Sequence, residues 1–147
     1  MTAVIQRVSG CRVVINGKTR CETKRGLLIL LGISVTDTEA DIGKIVKKCE
    51  GLRIFEDENG KMNLSANDIG AEIALVPNFT LCADSRRGKR PSFTPAMPPD
   101  KARPMFEAFA AQLSKTSKVV TGVFGADMKI TLTNDGPVTL VLRSEEL

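Results

Sequence analysis

Gly26-Leu27-Leu28-Ile29-Leu30-Leu31-Gly32-Ile33 is the longest apolar run in this chain of 147 residues, and turn-forming residues bound it. It falls far short of the ~20 apolar residues that span a bilayer. Its length is that of a strand, and a strand without polar alternation is buried on both faces, so it is expected at the centre of a sheet. Upstream, Ala3 to Ile15 alternates and is β-branched, then meets Asn16-Gly17. Both positions of that dipeptide favour φ > 0, the strongest short-range hairpin signal, so Lys18 to Cys21 should return as a second strand. Downstream, Thr36 with Glu39 three residues on reads as a capping box opening a helix. Ile42, Ile45, Val46, Cys49 and Leu52 then recur on one helical face.

Asp57-Glu58-Asn59-Gly60-Lys61 is turn chemistry. Glu72 to Cys82 reads as a strand interrupted by Pro77, and Ala83 to Pro99 as a long loop, a length that is usually functional or disordered. A second helix is expected from Asp100, with Ala102, Met105, Phe106, Phe109 and Leu113 as its core stripe. Three strands should follow, at Lys118–Phe124, Met128–Thr133 and Val138–Arg143. The order predicts a single α+β domain over residues 1–147, β-rich, with two helices covering a mixed or antiparallel sheet.

The composition narrows the chemistry. Hydrophobic residues at 42% give enough apolar material for a core, which excludes disorder. There is no histidine. Ser–His–Asp and Cys–His machinery is thereby excluded, as is any histidine base. Cys11, Cys21, Cys49 and Cys82 form no C-x-x-C pair, so they read as small hydrophobes in a reducing compartment and not as a metal site. No metal or cofactor is expected. The N-terminus has no secretion signal and no span is present, so a cytoplasmic protein is expected. Net charge is +4, and Arg86-Arg87-Gly88-Lys89-Arg90 places four cations in five residues. That loop is either a solvated surface or a footprint for a phosphate backbone.

Two more segments carry chemistry. In Val76-Pro77-Asn78-Phe79-Thr80-Leu81 proline breaks the ladder. This is either an ordinary edge strand or a frayed one whose free N–H groups face a ligand, as in an oxyanion hole. Asn134-Asp135-Gly136-Pro137-Val138-Thr139 is either a plain hairpin loop or one whose Gly-Pro bond is cis, which would fix the direction of its carbonyls.

From Ile5-Gln6-Arg7-Val8 to Asn134-Asp135-Gly136-Pro137-Val138-Thr139 the chain resembles the D-aminoacyl-tRNA deacylases, the D-tyrosyl-tRNA deacylase family. The other landmarks are Gly51-Leu52-Arg53-Ile54-Phe55, Gly60-Lys61-Met62-Asn63-Leu64, Phe79-Thr80-Leu81, Arg90-Pro91-Ser92-Phe93 and Phe124-Gly125-Ala126-Asp127-Met128. Each block is weak alone, but in order across nearly the whole chain they are specific. The resemblance implies a homodimer with active sites at the interface, acting on the 3′ end of aminoacyl-tRNA without a cofactor. It implies hydrolysis of the ester to the terminal ribose, with Gly-tRNA among the substrates because glycine is achiral. Phe79 and Thr80 match the catalytic strand, with Asn78 beside them on the substrate. Phe124 and Met128 match residues that hold the terminal adenine. Gly136 and Pro137 match a cis Gly-Pro motif that enters the partner's pocket and excludes L-amino acids, and Arg7 matches the arginine bracing it. Arg86, Arg87, Lys89 and Arg90 would meet the tRNA backbone.

One departure stands out. Where the family reads Ser-Gln-Phe-Thr, this chain has Pro77-Asn78-Phe79-Thr80. A related animal subfamily carries proline there, removes L-alanine from mischarged tRNA and lacks the bracing arginine, which is present here. Two alternatives follow: such an L-specific editor, or a nucleic-acid-binding module without catalysis, since a vertebrate homologue is linked to DNA replication origins.

Overall fold

The computed structural model describes residues 1–86 and 88–147. The chain opens with β1 (Thr2–Ile15), β2 (Lys18–Thr23) and β3 (Gly26–Gly32), followed by helix α1 (Glu39–Gly51). A small hairpin, β4 (Phe55–Glu56) and β5 (Met62–Leu64), precedes β6 (Glu72–Pro77). Helix α2 (Pro99–Leu113), β7 (Lys118–Thr121) and the long β8 (Lys129–Arg143) complete it. The main sheet runs β2-β1-β3-β6-β7, with β8 on the other edge of β1. β1 pairs antiparallel with β2, β3 and β8, whereas β3, β6 and β7 are parallel. The sheet is therefore mixed, and the α+β expectation holds. Parallel neighbours need long crossovers, and α1 and α2 lie within the two that link β3 to β6 and β6 to β7.

The apolar run becomes the centre of this sheet for the reason its sequence suggests. Leu27, Ile29 and Leu31 project into one core with α1 and α2, meeting Ile5, Ile73, Leu75, Ile45 and Phe109. Leu28 and Leu30 project to the opposite face, among Val8, Val13, Ala74, Val76 and Ile130. Every residue of β3 is buried except Leu30, which is half-buried, so the strand has no polar face. At its start β3 lies so close to β6 that a Cβ on Gly26 would sit 1.9 Å from the Glu72 carbonyl oxygen. Only glycine fits there.

The Asn16-Gly17 turn adopts φ of 50° and 75°, joining Ile15 to its partner Lys18 as the dipeptide predicts. Helix α1 is capped two residues later than expected. Thr38 is the cap, and its N–H donates to Asp41 Oδ2 at 2.9 Å. The Thr36–Glu39 pairing is displaced because the Asp37 carboxylate accepts the Ser34 N–H at 2.6 Å, holding Ser34–Asp37 as a turn. The stripes read from sequence face the core: Ile42, Ile45, Val46 and Cys49 from α1, and Ala102, Phe106, Phe109 and Leu113 from α2. β7 ends at Thr121, short of the expected Phe124, and the Gly122 N–H turns to the Leu75 carbonyl at 2.9 Å.

The largest difference lies in β8. The two C-terminal strands expected on either side of Asn134–Thr139 form a single strand, and both halves pair with β1. Val8 is opposite Asn134 and Gln6 opposite Thr139, so two steps along β1 match five along β8. The extra residues leave the ladder as a protrusion while the strand continues. No helix among the described residues is long and apolar enough to cross a membrane.

Candidate functional site

The strand β6 delivers Pro77 to the edge of a turn that the sequence reading placed in a strand. Beyond Pro77 the Asn78 N–H still reaches the Leu31 carbonyl at 2.8 Å, but Phe79–Cys82 then wind into a short 3₁₀ helix. Leu81 N–H bonds the Asn78 carbonyl at 3.3 Å and Ala83 N–H the Thr80 carbonyl at 3.1 Å. The first N–H groups of such a turn have no partner within it. Those of Phe79 and Thr80 find no acceptor among the described residues. Asn78 turns its carboxamide back onto the turn, where Oδ1 accepts the Thr80 hydroxyl at 2.5 Å. Gly32, the last residue of β3, lets this turn approach. A Cβ there would meet Leu81 Cβ at 2.8 Å and the Asn78 carbonyl oxygen at 3.2 Å.

The turn forms part of the wall of a cavity of about 670 Å³. Pro77, Asn78 and Phe79 line it from one side and Phe124, Gly125, Ala126 and Met128 from another, with Met97 and Pro98 just before α2 and Pro99, Ala102 and Arg103 in its first turns. Four residues singled out from sequence, Asn78, Phe79, Phe124 and Met128, thus meet in one place. Phe79 is 57% exposed, outside the core, and its ring packs edge-on against Phe93 at 5.1 Å between centroids. Phe124 rests against Phe106 at 6.2 Å and carries the Arg103 guanidinium 5.3 Å from its ring centre. Met128 packs where Gly122 has no side chain, since a Cβ there would lie 2.7 Å from its sulfur. Phe93 and Arg103 were not read from sequence as site residues. An aromatic residue within the polar Arg90-Pro91-Ser92-Phe93 segment was a usable signal, whereas Arg103 reads as an ordinary exposed helix residue.

Gly136 and Pro137 do not line this cavity. They form the tip of the β8 protrusion, joined by a cis peptide bond. Asn134 clasps its base, with Nδ2 donating to the Val138 carbonyl at 3.2 Å and Oδ1 accepting the Val138 N–H at 3.1 Å. Arg7 braces it from below. Its guanidinium, on a residue only 5% exposed, donates through Nε to the Asp135 carbonyl at 3.0 Å and through Nη1 to the Ile54 carbonyl at 2.7 Å. A buried charge needs such partners. Gly136 has φ of 133° and lies so close that a Cβ would come within 3.1 Å of Arg7 Nη2.

An isolated bridge pairs Asp84 with Ser92, on either side of the basic segment. Arg86 is already engaged there, with Nε and Nη2 on the Asp84 carboxylate at 2.9 and 2.7 Å. That fork holds the Asp84 carboxyl well below the usual carboxylate range. Lys89 and Arg90 are exposed. Arg87 lies outside the described residues. Among the described residues no three His, Cys, Asp or Glu side chains gather as metal ligands would.

The sequence has close relatives. It is 53% identical to a protein of Thermotoga petrophila named "D-aminoacyl-tRNA deacylase", over all of this chain and 99% of that one. It is 50% identical to a Sulfurihydrogenibium sp. protein of the same name, over the full length of both. Among solved structures it superposes on a "c-Myc DNA Unwinding Element Binding Protein" with TM-score 0.93 and 40% identity, over 97% of this chain and 98% of that one. The model of the "D-Tyr-tRNA(Tyr) deacylase" family matches residues 4–143, and with those relatives it places this chain in that family.

Proposed function

We propose that this protein hydrolyses the ester joining a D-amino acid, or glycine, to the 3′-terminal ribose of tRNA, in the cytoplasm, as a homodimer. What carries this reading is near-50% identity to named D-aminoacyl-tRNA deacylases over the whole chain. The terminal adenosine would enter the 670 Å³ cavity against Phe124 and Met128, bringing the ester to Phe79 on its wall and to the turn that continues into Thr80, which does not itself line the cavity. Water adds to the ester carbonyl carbon, and the N–H groups of Phe79 and Thr80 receive the negative charge that develops on its oxygen. A preorganised donor of this kind is worth roughly 100- to 1,000-fold in rate. The C–O bond to the ribose then breaks, and the proton lost by water reaches the leaving 3′-oxygen through the neighbouring 2′-hydroxyl. No protein base is required, which suits a chain without histidine. Thr80 positions rather than attacks, because its hydroxyl proton is committed to Asn78.

Chirality would be read by the protrusion. Gly136 and Pro137 are absent from their own cavity's lining, which supports a role in the partner's. Two backbone carbonyls at the α-centre would clash with an L-side chain whatever its identity, while a D-side chain points away and glycine has none. Lys89 and Arg90, with Arg86 and Arg87, would lie along the tRNA backbone. Because Arg86 is paired with Asp84, it contributes less charge than its neighbours. The presence of Arg7, buried and bonded beneath the protrusion, favours the D-specific reading over the animal-type L-specific one.

A deacylation time course on D-Tyr-tRNA, L-Tyr-tRNA and Gly-tRNA tests this. Loss of the D- and glycyl esters with the L-ester intact is the expected result. Equal hydrolysis of both enantiomers would overturn the chiral reading. The solved structure named for DNA binding favours one second reading, a nucleic-acid-binding protein without catalysis. Binding of tRNA with no hydrolysis of any ester would select it.

A further inference from the structure

The cavity's lining is apolar or uncharged with one exception. Arg103 is the one charged side chain that lines it among the described residues. Its position is set on two sides: the helix α2 fixes its backbone one residue after buried Ala102, and its guanidinium carbon sits 5.3 Å from the Phe124 ring centre. The ring itself is backed by Phe106. Arg103 has no ion pair or hydrogen bond from its side chain among the described residues, and Asp100, one helical turn earlier, does not pair with it. A guanidinium that lies over an aromatic ring keeps its N–H fork in its own plane, free for a flat or tetrahedral oxyanion.

We infer that Arg103 is a phosphate clamp for the nucleotide seated on Phe124, binding the phosphodiester on the 5′ side of the terminal nucleoside. The inference deepens the reading proposed above, because it takes the occupant of the cavity to be the 3′-terminal nucleotide of an RNA. A nucleoside stacked in an apolar cavity carries its 5′-phosphate at the mouth, and Arg103, itself exposed, is the charge the cavity offers there.

The test compares adenosine 5′-monophosphate with adenosine as ligands of the folded protein by calorimetry, in wild type, Arg103→Gln and Arg103→Lys. Wild type should favour the monophosphate by roughly tenfold or more, the scale of one charged hydrogen bond. Arg103→Gln should bring that ratio close to one while leaving adenosine affinity unchanged, and Arg103→Lys should fall between. In deacylation the Gln variant should raise KM with kcat retained. A ratio unaltered by Arg103→Gln would overturn the inference. So would equal weakening of both ligands, which would make Arg103 a prop for Phe124, and so would a wild type that binds neither ligand or shows no preference. If wild type hydrolyses no aminoacyl-tRNA while the monophosphate pattern holds, the clamp stands and the hydrolase reading falls.

Discussion

Replacing Gly32 by alanine should disable the site while leaving the protein folded. The added Cβ would lie 2.8 Å from Leu81 Cβ, 3.2 Å from the Asn78 carbonyl oxygen and 3.2 Å from Cys82 Sγ. Carbon atoms in contact normally stand about 3.5–4.0 Å apart, so one partner must retreat by roughly 0.7 Å or more. β3 cannot yield, being paired on both edges and buried on both faces. The 3₁₀ turn must therefore move, and with it Phe79 and Thr80. Overpacking of this kind costs about 1–3 kcal/mol. For a chain of this length that lowers Tm by roughly 2–4 °C per kcal/mol, so the variant remains folded at 25 °C. A reacting group misplaced by about 1 Å costs on the order of 100-fold in rate, and kcat/KM for D-Tyr-tRNA should fall by that order. Gly51→Ala is the matched control, since nothing lies within 4 Å of a Cβ built there. It should keep full activity and gain up to about 1 kcal/mol in stability. Single-turnover deacylation beside calorimetric melting decides the matter. A Gly32→Ala protein within about twofold of wild-type kcat/KM would refute the argument that this turn's position sets the rate.

Arg7→Met should cost about 3 kcal/mol, because two hydrogen bonds from a buried charge are lost together, and the ratio of D- to L-Tyr-tRNA hydrolysis should drop with it. An unchanged ratio in the folded variant would separate Arg7 from the chirality motif. Asp41 is held at about 2, chiefly by the Thr38 N–H and secondarily by the Ser144 and Thr38 hydroxyls. Its folded pKa lies below the unfolded one, so its stabilisation is present above about pH 4 and is lost as pH falls toward 2. The Tm gap between wild type and Asp41→Asn should therefore be full at pH 6 and shrink across that window; a gap independent of pH would contradict the assignment. Burial pushes the Cys49 thiol up to about 12 and that of Cys11 to about 11, so neither should be alkylated by iodoacetamide at pH 8 until the protein unfolds. Mass spectrometry of the quenched reaction would reveal labelling of the native protein if this is mistaken.

The parts of the fold legible in the sequence were those governed by local chemistry or uniform burial. Asn16-Gly17 specified its turn by backbone preference alone, and the Gly26–Ile33 run announced a strand with no solvent face. Misreadings arose where a distant partner decided the outcome. Thr36 and Thr38 are both suitable caps, and the choice fell to Thr38 because Asp37 is occupied with Ser34. Asn134–Thr139 has the composition of a hairpin loop, and only the shared partner β1 makes its two flanks one strand. The site shows the same division. Motif resemblance located Asn78, Phe79, Phe124 and Met128, but Phe93 and Arg103 come from loop and helix segments that reach the cavity only through the tertiary fold.

The unbroken β8 has a consequence for how its protrusion can vary. Each flank is registered on β1 independently, with Asn134 opposite Val8 and Thr139 opposite Gln6, so the residues between them stand outside the ladder. The flanks already pack on opposite faces: Ile130 and Leu132 lie against the cluster of Val8 and Val13, whereas Leu140 and Leu142 lie against the main core. A residue added or removed at the tip would therefore be absorbed there, as in a bulge, and would shift neither flank. What a change of length alters is reach, because the tip is closed by Asn134 on Val138 and supported by Arg7 on the Asp135 carbonyl. The sheet thus leaves the protrusion open to variation, and it is the clasp and the brace that set its size.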